Sequence, residues 1–165
     1  MTLTETKATH LKIWCDGGMQ SNPGIGGYGV YGKLTNADTH EVVKRFTTSG
    51  GKLRSTNIEM EVLAVLASLN LALQYPDVQV IIYTDSQWTL KCMTGEFRVN
   101  EKHEAKISIL VQLWDKCDRK RVKIKWVKGH AGNFGNELAD SLATQAVQRM
   151  IHTRTEYGIW KQYFS

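Results

Sequence analysis

Residues 78–83, VQVIIY, are almost wholly apolar. A short run with so little polar alternation suits a strand buried on both faces, in the middle of a sheet that helices cover. Pro76 stops any helix that arrives from upstream, and Asp85 and Ser86 follow at once. At 165 residues the chain reads as one domain, long enough to bury such a sheet.

The flanking segments fill in the pattern. Residues 10–15 alternate, with Leu11, Ile13 and Cys15 on one face, and read as a strand. The glycine-rich stretch SNPGIGGYGVYG follows; Asn22, Pro23 and Gly24 mark a turn. Tyr28, Val30 and Tyr31 suggest a second strand, in which Gly26, Gly27 and Gly29 permit close backbone approach. A third strand at about 41–48 would complete an antiparallel meander through the polar turn near Asn36, Ala37 and Asp38. Ser55, Thr56 or Asn57 caps a helix that runs to about Gln74. Beyond the apolar strand, Asp85 and Ser86 open a short helix. A longer helix at 104–118 puts Ile107, Leu110, Val111 and Trp114 on one side. Residues 122–127 read as a strand, and 136–150 as a last helix after the loop GHAGNFGN. The order β-β-β-α-β-α-α-β-α predicts an α/β fold with a mixed sheet flanked by helices. Residues 1–9 are polar and expected to fray. Residues 151–165, with Tyr157, Trp160, Tyr163 and Phe164, form a C-terminal extension to which the pattern assigns no packing.

Four acids stand in local sequences that suggest a common target: Asp16 in IWCDGG, Glu61 in STNIEMEVLA, Asp85 in IIYTDSQ and Asp140 in GNELADSLA. Carboxylates gathered at one point raise one another's pKa and resist joint ionisation. The usual remedy is a hard divalent cation, and Mg²⁺ prefers oxygen ligands. Asp16 and Asp85 lie at or near the carboxyl ends of strands, where open α/β sheets place their ligands. Taken singly, each acid has an ordinary reading. Asp85 could cap a helix and Asp16 could serve a turn. Glu61 and Glu59 lie on opposite rims of the apolar stripe Ile58, Val62, Val65, Leu66 and Leu69, so periodicity does not choose between them. Glu137 competes with Asp140 in the same way.

The remaining features are less specific. A net charge of +5 mildly favours a polyanionic partner. Within the basic run from Arg119 to Lys128, alternation marks Lys123 and Lys125 as a solvated strand face. Cys15, Cys92 and Cys117 form no CxxC pair and suggest reduced thiols in a cytoplasmic setting. The N-terminal residues lack an apolar signal core. The longest nearly apolar stretch, 62–73, contains Ser68 and Asn70 and is too short to span a bilayer. The five tryptophans read as core, with Trp88 placed nearest a possible substrate. His130 stands in a glycine-flanked loop, where an imidazole could shuttle protons.

Over roughly residues 10–150 the chain resembles type 1 ribonuclease H. The resemblance rests on Asp16-Gly17, Asn22-Pro23-Gly24, Gly26-Gly27-Tyr28-Gly29, Thr56-Asn57 with Glu61, Thr84-Asp85-Ser86-Gln87, and Lys128-Gly129-His130-Ala131-Gly132 with Asn136-Glu137 and Asp140. It implies a five-stranded ribonuclease H-like sheet, a three-strand meander plus parallel strands, with 10–150 as the catalytic domain. It also implies endonucleolytic cleavage of the RNA strand of RNA–DNA hybrids, leaving 5′-phosphate and 3′-hydroxyl ends. Asp16, Glu61, Asp85 and Asp140 would hold two Mg²⁺ ions, with Mn²⁺ as an alternative, and His130 would assist proton transfer or product release. The resemblance selects Glu61 over Glu59 by its distance from the threonine. It assigns hybrid recognition to Asn22, Asn57 and Gln87, and a DNA-strand phosphate to Arg54 and Thr56. The expected partner is the hybrid alone, with no membrane and a monomeric protein.

Two departures from the family pattern bear on substrate affinity. Ile58 stands where relatives usually carry Asn or Gln. Residues 95–105 (GEFRVNEKHEA) replace the longer basic, tryptophan-rich insertion of many bacterial relatives. Weaker hybrid binding with strong salt sensitivity is expected, unless Arg98, Lys102 or the C-terminal tail compensates. A DNA-directed nuclease on the same fold would share the acids but lack the Asn-Pro-Gly and Thr-Asn blocks.

Overall fold

The computed structural model describes residues 7–129 and 132–164. Five strands form one sheet in the order β3-β2-β1-β4-β5. Strand β1 (His10–Met19) lies in the middle, antiparallel to β2 (Gly24–Thr35) and parallel to β4 (Gln79–Thr84). Strand β3 (Val42–Ser55) pairs antiparallel with β2, and β5 (Val122–Trp126) parallel with β4. The mixed sheet is as expected.

Helix α1 (Asn57–Leu73) covers one face. Leu11, Ile13, Val80 and Ile82 meet Met60, Leu63, Leu66 and Leu69 there, all essentially buried. Burial of each such side chain contributes roughly 1.5–3 kcal/mol. The short helix α2 (Gln87–Met93) and helix α3 (Glu104–Asp115) extend the same layer. Helix α4 (Phe134–Thr153) takes the opposite face. Its small residues Ala139, Ala143 and Ala146 lie against strand glycines. A Cβ on Gly27 would stand 2.7 Å from that of Ala146, and one on Gly29 would strike the Ala139 carbonyl. These glycines therefore set the distance between α4 and the sheet.

Several boundaries differ from the sequence reading. Strand β1 runs on to Met19, and β3 reaches Ser55 instead of stopping near 48. Helix α3 ends at Asp115, and α4 begins at Phe134 with Asn133 as its cap. Lys7 and Thr9, expected to fray, are tied to the sheet. Thr9 N donates to the Thr35 carbonyl at 2.9 Å, and the Asn36 amide donates to the Lys7 carbonyl at 2.6 Å. Residues 1–6 lie outside the described residues. The C-terminal segment is anchored: Tyr157 bridges Gly51, Glu156 accepts from Leu53 N at 2.9 Å, and Trp160 is buried in the core. Cys15, Cys92 and Cys117 are buried free thiols. Among the described residues, no helix is long and apolar enough to cross a membrane.

Candidate active site

Strand β1 carries Asp16 toward the end at which β4 delivers Asp85. Cys15 pairs with Thr84, so Asp16 and Asp85 leave the sheet side by side. Two glycines bring the helical acids to them. Across the β1–β2 ladder Asp16 faces Gly29, whose missing side chain admits α4 at Ala139, one residue before Asp140. Next to Asp16, Gly17 lies under α1, where a Cβ would stand 2.9 Å from Met60 and 3.0 Å from Glu61 N. The glycines thus let both helices close on a single strand residue.

The electrostatics show the result. Asp16 is 6% exposed and its carboxylate accepts from Gly17 N at 2.9 Å. Burial, the charge of Asp85, and a hydrogen bond and charge from Asp140 push its pKa up to about 8, against a smaller opposing pull from the Gly17 amide. Burial and the charge of Asp85 also raise Glu61, opposed by Ser86 and by Asn57, whose amide donates to Glu61 Oε1 at 3.4 Å. Asp85 is therefore coupled to both Asp16 and Glu61, and Asp16 to Asp140. Gly129, in the β5–α4 connection, stands against Asp85.

The donor set is all carboxylate oxygen, the kind a hard divalent cation takes. Among the described residues, no ion pair involves Asp16, Glu61 or Asp140. No group of three or more His, Cys, Asp or Glu side chains among them is gathered tightly enough to hold an ion as it stands. The acids are neighbours that raise one another's proton affinity, and that chemistry fits a site completed by a divalent metal. His130 lies outside the described residues.

Glu59 and Glu61 have separate fates. Glu59 is buried and takes Lys52 Nζ and Lys106 Nζ at 2.9 Å each and Ser55 Oγ at 2.6 Å. Burial works to raise its pKa, but Lys106, Ser55 and Lys52 outweigh it and leave the carboxylate below its ordinary value. Glu61 has no such cations and joins Asp85.

Of the residues expected to contact substrate, Asn57 touches the acids directly, through Glu61. Asn22 Oδ1 accepts from Asn57 N at 3.1 Å, which ties the β1–β2 turn to the start of α1. Thr56 is the cap of that helix and accepts from Glu59 N at 3.2 Å. Arg54 is exposed and, with Thr56, Lys52, Lys102 and Lys106, lines an open cleft of about 250 Å³. Gln87 is exposed at the start of α2. Ile58 is partly buried and packs against the core. Trp88 stacks edge-on against His103 and is partly buried. Trp126 departs from the core reading, being 45% exposed with its indole donating to the Asp85 carbonyl at 3.2 Å. Sequence reasoning missed Lys52 and Lys106. They are far apart in the chain, on β3 and α3, and meet at Glu59 of α1.

A family model described as RNase H matches residues 8–148. A protein of Bordetella bronchiseptica named Ribonuclease H is 41% identical over 148 residues, covering 84% of this chain and 89% of that protein. Among solved structures, the N-terminal RNase H domain of rv2228c from Mycobacterium tuberculosis is 26% identical with a TM-score of 0.68, covering 89% of this chain and 99% of that one. The chain is also similar in fold to LC11-RNase H1, solved in complex with an RNA/DNA hybrid. That likeness has a TM-score of 0.67 at 20% identity and covers 86% of this chain and 99% of that one.

Proposed function

The chain belongs to the ribonuclease H family, and from that premise we propose that it hydrolyses the RNA strand of RNA–DNA hybrids through a two-metal centre held by Asp16, Glu61, Asp85 and Asp140. It is an endoribonuclease, and its products are 5′-phosphate and 3′-hydroxyl ends. The observation that carries the reading is the state of Asp16, whose burial, together with its coupling to Asp85 and Asp140, lifts its pKa to about 8. A carboxylate this strongly penalised for ionising is poised to exchange its proton for a cation. Asp16, Glu61, Asp85 and Asp140 would hold the ions, with Asp16, coupled to both Asp85 and Asp140, at the middle of the set.

Bound there, divalent ions supply Lewis-acid stabilisation of the scissile phosphate and a more acidic water. Mg²⁺ suits the all-oxygen set, with Mn²⁺ as the alternative. The chain's own residues supply position. Asn57 steadies Glu61, Gly17 N steadies Asp16, and Trp126 holds the backbone of Asp85. Asn22, Asn57 and Gln87 read the hybrid, where the 2′-hydroxyl distinguishes RNA from DNA. Arg54 and Thr56 take a DNA-strand phosphate. His130 assists proton transfer. The protein works as a monomer in the cytoplasm.

The test is a panel of end-labelled substrates in Mg²⁺: RNA–DNA hybrid, duplex RNA, duplex DNA and both single strands. Cleavage confined to the RNA of the hybrid, with 5′-phosphate products, is expected. Cleavage of duplex DNA at a comparable rate would replace this reading with a DNA-directed nuclease.

A further inference from the structure

Helix α4 covers its sheet face from Gly18, Gly27, Gly29 and Gly51 as far as the aromatic rung Trp14, Tyr31 and Tyr83. Among the described residues the other end of that face is open, and most of its exposed side chains are cationic. Lys12 on β1 pairs in register with Lys33 on β2, and Lys33 with Arg45 on β3. Lys12 also pairs with Ile81 on β4, and Ile81 with Lys123 on β5. Register partners point to the same side of a sheet. One row therefore reads Arg45, Lys33, Lys12, Ile81, Lys123 across all five strands. Two residues further along β5, on the same face, stands Lys125, the partner of Tyr83. Lys123 and Lys125, which alternation alone marks as a solvated face, thus continue a stripe begun three strands away.

Like charges directly opposite one another on neighbouring strands are destabilising. The hydrogen bonds that hold the row go to neutral groups: Arg45 donates to the Tyr31 hydroxyl, and Lys123 Nζ to the Arg119 carbonyl at 2.7 Å. Neither offsets the charge. Below the stripe, His10, Lys12, Lys33 and His40 line a depression of about 360 Å³. Four of the five cations (Lys12, Arg45, Lys123 and Lys125) are exposed. With strands about 4.8 Å apart, the row spans about 19 Å.

We propose that this open sheet face is a second nucleic-acid-binding surface, which takes the phosphate backbone of a strand extending beyond the catalytic cleft. The proposal rests on the ribonuclease H reading for its choice of polyanion. The stripe lies about 13 Å back along β1 from Asp16, counting the rise from Lys12. It is separated from the acids by the start of α4, where Gly135 packs on Trp14. Binding here anchors substrate without entering the chemistry, and it offsets the shortened segment 95–105.

The experiment compares the wild type with the triple variant Lys12→Gln, Lys33→Gln, Arg45→Gln. Binding is measured in EDTA against a long RNA–DNA hybrid and a long DNA duplex across a salt series, and cleavage kinetics are measured on a hybrid only long enough to fill the catalytic cleft. The expected result is weaker binding to both long duplexes, with a log–log salt slope shallower by up to about 2.7, close to 0.9 for each phosphate no longer neutralised. Short-hybrid kcat and KM should be unchanged, and Tm unchanged or raised. An unchanged slope on the long duplexes overturns the proposal. So does binding by the wild-type stripe to phosphatidylserine vesicles that is abolished in the variant while nucleic-acid binding is not. Because binding is read in EDTA and on DNA as well as hybrid, a failure here is distinct from a failure of the chain to cleave hybrids.

Discussion

Gly129 lies against Asp85 so closely that a Cβ on it would stand 2.9 Å from Asp85 Oδ2. The atom it would meet is the tip of a side chain, which can swing aside at little cost to the fold. Displaced, however, Asp85 loses its place between Asp16 and Glu61. Gly129→Ala should therefore leave Tm nearly unchanged and lower kcat on a hybrid by about 10²-fold, the order that a misplacement of about 1 Å can cost. A paired melting curve and steady-state assay checks this; equal activity with equal Tm would show that the loop does not constrain Asp85.

Asp16 makes stability depend on pH. Its native pKa of about 8 compares with 3.8 for an ordinary Asp. Between those values the native state binds more protons than the unfolded chain, so the unfolding free energy falls as pH rises. Glu61, also raised, acts with the same sign. In EDTA, Tm should decline from about pH 4 to pH 8, and Asp16→Asn should flatten most of the decline. For a chain of this size each kcal/mol relieved raises Tm by about 2–4 °C. Mg²⁺ should stabilise the wild type more at about pH 8 than at about pH 5, because the cation binds the ionised carboxylates. A Tm that rises with pH in EDTA would contradict the assignment of Asp16.

Glu59 and Glu61 should separate by opposite phenotypes. Glu59→Gln strips Lys52 and Lys106 of a shared, largely buried partner and should cost about 1–3 kcal/mol while leaving most activity. Because the Glu59 pKa is lowered, its contribution is present above the unfolded value and lost as pH falls through the native one. Glu61→Gln should abolish cleavage without loss of stability. Urea unfolding of both variants beside their hybrid-cleavage rates distinguishes the two acids.

Gly29→Ala should damage fold and site together. Its Cβ would strike the Ala139 carbonyl and backbone around Ala143, which cannot swing aside. A loss of about 1–3 kcal/mol is expected from overpacking, with activity falling as α4 lifts Asp140 from Asp16. Thermal melts and activity at a temperature well below Tm test the two effects independently.

The parts legible in the sequence were those with strong periodicity or strong punctuation. Leu11, Ile13 and Cys15 mark β1, and the apolar run at 78–83 marks the interior parallel strand β4. The far half of β3 was not legible, because Ser49, Gly50 and Gly51 carry no apolar alternation. They are strand residues because Tyr28 and Met150 fill the space above the glycines. The choice between Glu59 and Glu61 was equally hidden from periodicity, since both flank the same stripe. Tertiary placement separates them: two lysines from distant elements claim Glu59, whereas Asp85 claims the surroundings of Glu61. The packing of Tyr157 and Trp160 depends on Gly51 and on the core between β3 and α1, which no local pattern at 151–165 could reveal.

The most direct measurement of the central claim is the rate of hybrid cleavage by Asp16→Asn in Mg²⁺, on protein verified as folded by its melting curve. The proposal is that Asp16, Glu61, Asp85 and Asp140 form one cation-dependent centre. The expected result is a fall to the level of the wild type in EDTA, with Tm at about pH 8 in cation-free buffer equal to or above that of the wild type. Cleavage by the variant at the wild-type rate would contradict it.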